Sequence, residues 1–312
     1  NRQKRPHLPK GVCPFCPGSG KVPNSYDVLV YPNDFPALSQ QPAEAVGVNS
    51  QLYHSASAYG KCEVILYSDD HRLSLYDLSE DNFLKLIDTW AQRYEELSQD
   101  ERINYIFPFE NRGEEVGVTI HHPHGQLYAY GWLPLKVKTE LDHAKQFYHE
   151  KGESLFAVMN REESNTDRLV MENEHFLAYI PYFNDYPYGV YIVSKEPVAA
   201  ISNLDAAGRG DLKDILRSIT GGFDALFNRP FPYMMCIYQA PVNMPEYVDA
   251  ARYYPLHIKF FPPLRAADKI KWNASSETGA WAAANTLAVE QTAVELRQAI
   301  KQFHQQQPSD GR

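Results

Sequence analysis

The chain has 312 residues and a net charge of -9, with 44% hydrophobic and 22% charged residues and with 15 Phe, 21 Tyr and 4 Trp. That length accommodates two domains or one duplicated one, and the aromatic content excludes a disordered or low-complexity chain. The acidic balance argues against nucleic-acid and membrane-surface binding, so any bound phosphate must meet a local basic cluster, and no run of about 18 apolar residues offers a membrane span.

In chain order, the start NRQKRPHLPK lacks the apolar core of a signal peptide, which makes a cytoplasmic enzyme the expectation. Cys13 and Cys16 form a CPFC pair followed by Pro17 and Gly18. Two thiolates at this spacing grip one tetrahedral Zn²⁺, but they supply half a site, and a redox pair or a chance spacing stays open at this point. Cys62 and Cys236 stand alone in CEVILY and YMMCIY and read as buried strand cysteines. Four cysteines in so long a chain are no disulfide framework.

A weak internal repeat organises the rest. CEVILYS at 62–68 and GVYIVSK at 189–195 are β-rich runs, each leading through polar residues into a helix. The first helix opens after Ser79, a good N-cap followed by Glu80 and Asp81, and carries Phe83, Ile87, Trp90, Tyr94 and Leu97 at helical steps. The second opens near Asp205 and carries Leu212, Ile215, Ile219, Phe223 and Leu226. Two strands follow each: INYIFPFEN and VGVTIHHPHGQLYAY in the first half, FPYMMCIYQAP and RYYPLHIKFFPP in the second. The pattern predicts an α+β fold, a duplicated unit with antiparallel sheet covered by helices, divided into residues 1–160 and 161–312 within the charged stretch 160–168. A last helix puts Val289, Ala293, Leu296, Ile300 and Phe303 on one stripe.

The densest chemistry lies in IHHPHGQLYAY at 120–130. On a strand His122, His124, Gln126 and Tyr128 share one face, with Pro123, Gly125, Leu127 and Ala129 on the other. A core strand gains nothing from a row of imidazoles and a carboxamide, each of which needs a partner when buried. Pro123 and Gly125 are poor residues for an ordinary strand and suit a phosphate lying over the backbone. Neutral imidazole is a competent nucleophile at pH 7, and a carboxamide can hold a non-bridging phosphate oxygen.

HPHGQ at 122–126, preceded by CPFC, YPNDFPAL at 31–38, SDDHRLSL at 68–75 and FENRG at 109–113, and followed by LHIKFFPPLR at 256–265 and KWNASSE at 271–277, resembles the galactose-1-phosphate uridylyltransferase family of the histidine triad superfamily. The resemblance covers nearly the whole chain. It implies a duplicated histidine-triad-like fold, with a catalytic first half and a degenerate second half that ends in a substrate-binding tail. It also implies ping-pong exchange of a uridylyl group between UDP-glucose and a hexose 1-phosphate, galactose 1-phosphate, giving UDP-galactose. His124 matches the nucleophile and Gln126 the residue that steadies the phosphoryl group. The family's zinc ligands fall on Cys13, Cys16, His71 and His122, a closed structural set, one ion per chain. Substrate contacts carry over to Arg2, Arg5, Val22, Asn33, Asp34, Phe35, Asn111, Gly117, Thr119, Lys271 and Glu277. His121 is a bystander. Ser276 stands where the family usually has tyrosine and Ala283 where it often has glutamine, which leaves the hexose open. A homodimer is implied.

The positions of a second metal found in some members fall on Glu140, Tyr238, His257 and Lys259. Tyrosine is a poor ligand at neutral pH and an ammonium repels a cation, so no second metal is expected, and Lys259 is expected to pair with Glu140 instead. The competing readings are a nucleotidyl phosphorylase or adenylyltransferase acting on ADP-sugars, a histidine triad hydrolase, and a non-catalytic, zinc-stabilised nucleotide-binding module.

Overall fold

A computed structural model describes residues 13–47 and 50–307. The strands of the first half are β1 (Leu29–Pro32), β2 (Gly60–Leu66), β3 (Tyr105–Arg112) and β4 (His124–Tyr130), with helix α1 (Glu80–Ser98) between β2 and β3. Helices α2 (Leu135–Lys151) and α3 (Leu155–Glu163) follow. The second half contributes β5 (Leu169–Glu172), β6 (Phe176–Tyr179), β7 (Tyr191–Ser194), α4 (Ala206–Phe227), β8 (Tyr233–Tyr238) and β9 (His257–Phe260). A small hairpin of β10 (Leu264–Ala266) and β11 (Lys269–Ile270), the short α5 (Ser275–Gly279) and α6 (Val289–Gln306) close the described chain.

Nine strands form one antiparallel sheet in the order β1-β2-β4-β3-β8-β9-β7-β6-β5. The duplication is visible in that order, since β2, α1, β3, β4 and β7, α4, β8, β9 are the same unit arranged in mirror order about the β3–β8 seam. The seam pairs Phe109 with Cys236 and Arg112 with Tyr233, so the two halves share one sheet.

Helices α1, α4 and α6 cover one face. Ser79 caps α1 by accepting from the Asn82 N–H, and Asp205 caps α4 by accepting from that of Gly208, each satisfying a donor that the first turn leaves open. The stripes Phe83, Ile87, Trp90 and Leu212, Ile215, Ile219, Phe223 enter a core with Leu127 and Ala129 of β4. Helix α6 lies so close to α4 that a Cβ on Gly221 would meet the Phe303 ring at 2.3 Å and one on Gly222 would meet Ile300 at 2.4 Å. On the other face, α2 and α3 pack over Tyr105, Tyr179, Val193 and Tyr238, and residues 13–35 pack over Val64 and Leu66.

The charged stretch near residue 160 is not a linker. Residues 155–163 are helical, so a division between 160 and 161 would cut α3, and buried Glu163 binds Arg168 Nε at 2.6 Å. The charges there serve a buried contact rather than a solvated joint.

Candidate active site and metal cluster

Strand β4 runs between β2 and β3, with His124 opposite Leu66 and Gln126 between Val64 and Phe109. Alternation holds from His124 onward: His124 and Gln126 are half-buried on one face, while Gly125, Leu127 and Ala129 are buried on the other. His122 and Pro123 precede the strand, both buried, and His122 turns its ring into a separate cluster.

The local backbone sets the His124 tautomer. Its Nδ1 lies 2.7 Å from the His122 carbonyl oxygen, which can only accept, so Nδ1 carries the proton and Nε2 the lone pair. The Phe15 ring stands 6.0 Å from that of His124 and 5.5 Å from that of Tyr31, forming an apolar wall. A cavity of about 600 Å³ opens beside His124, lined among others by Arg72, Asn111, His121 and Arg229. His121 is exposed, with Nε2 3.2 Å from Glu114, yet it reaches this cavity rather than facing away from it.

The loop carrying His71 is anchored from the second half. Arg112 forks onto Asp224 of α4 at 2.5 and 2.8 Å and donates to Ser74 Oγ at 2.9 Å, while the Tyr76 hydroxyl donates to the same Asp224 at 2.9 Å. The bidentate pair is the geometry that fixes an arginine most firmly.

Cys13, Cys16, His71 and His122 bring their ligand atoms within 4.8 Å of one another. The Cys13 and Cys16 sulfurs lie 3.7 and 3.8 Å from His122 Nδ1, and Cys16 lies 3.5 Å from His71 Nδ1. In a tetrahedral zinc site, Zn–S of about 2.3 Å and Zn–N of about 2.0–2.1 Å place sulfur and nitrogen ~3.6 Å apart. His122 Nε2 lies 2.7 Å from the Ser68 carbonyl and donates to it, which turns the Nδ1 lone pair toward the thiols. The Tyr26 hydroxyl, 2.9 Å from the same nitrogen, donates onward to the Phe15 carbonyl at 2.6 Å. Burial pushes His122 down to about 4, so it is neutral at pH 7 as a ligand must be. Burial and the neighbouring Cys13 push the Cys16 thiol up to about 11 without an ion, a balance that a divalent cation reverses. The donor set fits a metal.

Of the other expected residues, Asn33 folds its own turn, its side-chain oxygen accepting from the Phe35 N–H at 2.9 Å. Asp34 accepts from Lys21 at 2.7 Å and from the Tyr31 hydroxyl at 3.0 Å, and Val22 packs beside Phe15. Asn111 lines the cavity; Gly117, at φ 83°, and exposed Thr119 lie on the segment leading into β4. Lys271 donates to the Asp185 carbonyl at 2.6 Å, and Glu277 accepts from the Ala274 N–H at 3.0 Å; neither lines the cavity. Arg2 and Arg5 lie outside the described residues.

Gly125 corrects one expectation. A Cβ there would lie 2.3 Å from the Tyr67 hydroxyl oxygen, so the glycine makes room for a buried phenol behind the strand rather than for a phosphate above it. Phe15, Tyr26, Tyr67 and Arg112 are the site-building residues that sequence reasoning missed; Phe15 and Arg112 stood inside the quoted CPFC and FENRG motifs, but nothing local showed what they touch.

In the second half, Lys259 Nζ lies 2.7 Å from Glu140 Oε2, with the Tyr238 and Tyr191 rings at 4.5 and 4.9 Å. His257 stacks on Tyr238 with ring centroids 5.0 Å apart, and its Nδ1 donates to the Pro255 carbonyl at 2.7 Å.

An imidazole with a fixed tautomer beside a cavity, next to a Cys/His cluster on a duplicated antiparallel sheet, suits an enzyme that attacks phosphorus through histidine. Profiles of the galactose-1-phosphate uridyl transferase N-terminal and C-terminal domains match residues 3–134 and 140–309. The chain is 36% identical over 297 residues to the galactose-1-phosphate uridylyltransferase of Thermotoga maritima, covering 95% of this chain and 92% of that one. It belongs to the galactose-1-phosphate uridyl transferase family. A solved uridylyltransferase structure superposes with a TM-score of 0.88 at 29% identity, covering 96% of this chain and 94% of that one. The fold is also that of an ADP-glucose phosphorylase from Arabidopsis thaliana, at a TM-score of 0.78 and 24% identity over 95% and 92% of the two chains.

Proposed function

We propose that this chain exchanges a uridylyl group between UDP-glucose and galactose 1-phosphate in two displacements at His124. The observation that supports it most is the 2.7 Å contact from His124 Nδ1 to the His122 carbonyl, which leaves the lone pair on Nε2. In the first displacement Nε2 attacks the uridylyl phosphorus of UDP-glucose. An N–P bond forms, the P–O bond to glucose 1-phosphate breaks, and its electron pair leaves with the sugar phosphate. In the second, a phosphate oxygen of galactose 1-phosphate attacks the same phosphorus and the N–P electrons return to Nε2. The proton stays on Nδ1, donated to the His122 carbonyl throughout, so the imidazolium that forms is held in place. Gln126, two residues along the same face, donates its amide N–H to a non-bridging phosphate oxygen as charge grows there.

Cys13, Cys16, His71 and His122 would hold zinc. A closed four-ligand ion supplies a brace that fixes the start of β4 and leaves no open position for substrate. In the second half, the Lys259 ammonium pairs with Glu140 at positions that the resemblance assigns to a second ion in some members, which supports one metal per chain. Lys271 and Glu277 do not line the cavity, which suits a homodimer that brings the tail of one chain to the partner's site. A cytoplasmic location agrees with this metabolism, and no helix among the described residues is long and apolar enough to cross a membrane.

Exchange of radiolabelled glucose 1-phosphate into UDP-glucose, run beside the same exchange into ADP-glucose, tests chemistry and base together. Label should enter UDP-glucose with no acceptor present. Entry into ADP-glucose alone would establish the ADP-sugar reading, and entry into neither would leave only nucleotide binding.

A further inference from the structure

Glu110 is a carboxyl buried in the sheet, 5% exposed, on β3 at the seam between the two halves. It accepts from two phenols: the Tyr67 hydroxyl at 3.1 Å on Oε2 and the Tyr233 hydroxyl at 2.9 Å on Oε1. The two tyrosines come from different places. Tyr233 begins β8. Tyr67 follows β2, its N–H donating to the Pro123 carbonyl at 3.0 Å, and its hydroxyl oxygen lies under Gly125, between His124 and Gln126. Tyr67 has little freedom of its own, being 1% exposed, edge-on to Trp90 at 6.2 Å, with its carbonyl held by the Asn82 amide at 2.7 Å.

Alternation along β3 puts Asn111 on the face of His124 and Glu110 on the opposite one, and both residues border the cavity. One strand therefore presents a polar group above the reacting face and the carboxyl beneath it. A hydrophobic core gives no reason for a carboxyl here. A two-acceptor group that sets the height of a phenol against the backbone of β4 does.

We propose that Glu110 is a positioning residue: through the Tyr67 hydroxyl it seats the backbone at Gly125 and so fixes His124 Nε2 and the Gln126 amide in line with the phosphorus. The inference rests on the uridylyl-transfer reading. Its physical basis is the steep dependence of displacement on alignment, where a shift of about 1 Å lowers the rate ~10²-fold.

The two phenols supply an internal control. Tyr67→Phe and Tyr233→Phe each remove one hydrogen bond from the same carboxyl, but only Tyr67 touches the catalytic strand. The experiment measures pre-steady-state loading of the chain from UDP-glucose and steady-state kcat and KM on the intact protein, with metal content as a check of folding. Tyr67→Phe and Glu110→Gln should lower kcat by about 10-fold or more with KM for UDP-glucose within about twofold, and Tyr233→Phe should keep kcat within about threefold. Gly125→Ala, whose Cβ would sit 2.3 Å from the Tyr67 oxygen, should lose more, and adding Tyr67→Phe to it should recover part of the loss. Equal kcat losses in the two Phe variants, a wild-type kcat in Tyr67→Phe, or no recovery in the double variant would each overturn the inference. A wild-type chain that takes no label from UDP-glucose overturns the uridylyl-transfer reading itself and this inference with it.

Discussion

Replacing Glu140 by Met leaves the Lys259 ammonium, whose side chain is 3% exposed, without its carboxylate. Breaking a buried ion pair from one side costs ~3–5 kcal/mol. The protein has an escape, because lysine can lose its proton. From an ordinary pKa near 10.4 down to pH 7, at about 1.36 kcal/mol per unit, that neutralisation costs ~4.6 kcal/mol, which caps the penalty. The faces of Tyr238 and Tyr191, 4.5 and 4.9 Å from Nζ, retain part of the stabilisation, ~0.5–1 kcal/mol each. The expected loss is about 3 kcal/mol at pH 7. Its pH dependence has a definite sign. Burial holds the folded Lys259 pKa below the ordinary value, so the folded state binds the proton more weakly than the unfolded state, and stability rises with pH between the two values. At pH 9 the cap falls to ~1.9 kcal/mol, and the variant should close on the wild type. Urea unfolding of both chains at pH 7 and pH 9 measures this. A deficit below about 1 kcal/mol at pH 7, or the same deficit at both pH values, would refute the reasoning.

Cys16→Ala should remove the bound metal and lower Tm together, since metal binding and folding are coupled; retained stoichiometric zinc would exclude the Cys13, Cys16, His71, His122 set. Gln126→Ala should slow loading of His124 by ~10²-fold with little change in Tm, measured by rapid quench. Burial raises Glu110 to about 7, opposed by its hydrogen bonds from Tyr233 and Tyr67 and by the Arg112 charge, so its folded pKa lies above the unfolded value. That contribution is fully present below about pH 4.5 and lost as pH rises through about 7, ~3 kcal/mol in all. Glu110→Gln should lack this slope, and identical pH–stability profiles for the two chains would contradict the assignment.

The active strand was legible because its chemistry is compressed into five adjacent residues, and α1 and α4 because a cap and an apolar stripe agree in each. The metal set needed the resemblance: Cys16 and His71 are 55 positions apart, and no local period joins them. The Lys259–Glu140 pair, 119 positions apart, was inferred from which residue types could not hold a cation. Other features left no local trace. Helix α2 buries only Val137, Leu141 and Ala144, a stripe too narrow to stand out from its charges. Gly125 read as room for a ligand because a glycine records that something comes close without saying from which side, and Tyr67 lies on the buried one. Phe15 and Tyr26 act on His124 and His122 across about a hundred residues of chain, which only the folded sheet brings together.

The central claim is that His124 Nε2 carries the uridylyl group between substrates. Adding UDP-glucose without acceptor and mapping the acid-labile adduct by mass spectrometry tests it most directly. The account predicts one uridylyl group per chain on His124, discharged by galactose 1-phosphate and absent in His124→Ala. An adduct on His122, or turnover with no adduct and intersecting rather than parallel kinetic lines, would contradict it.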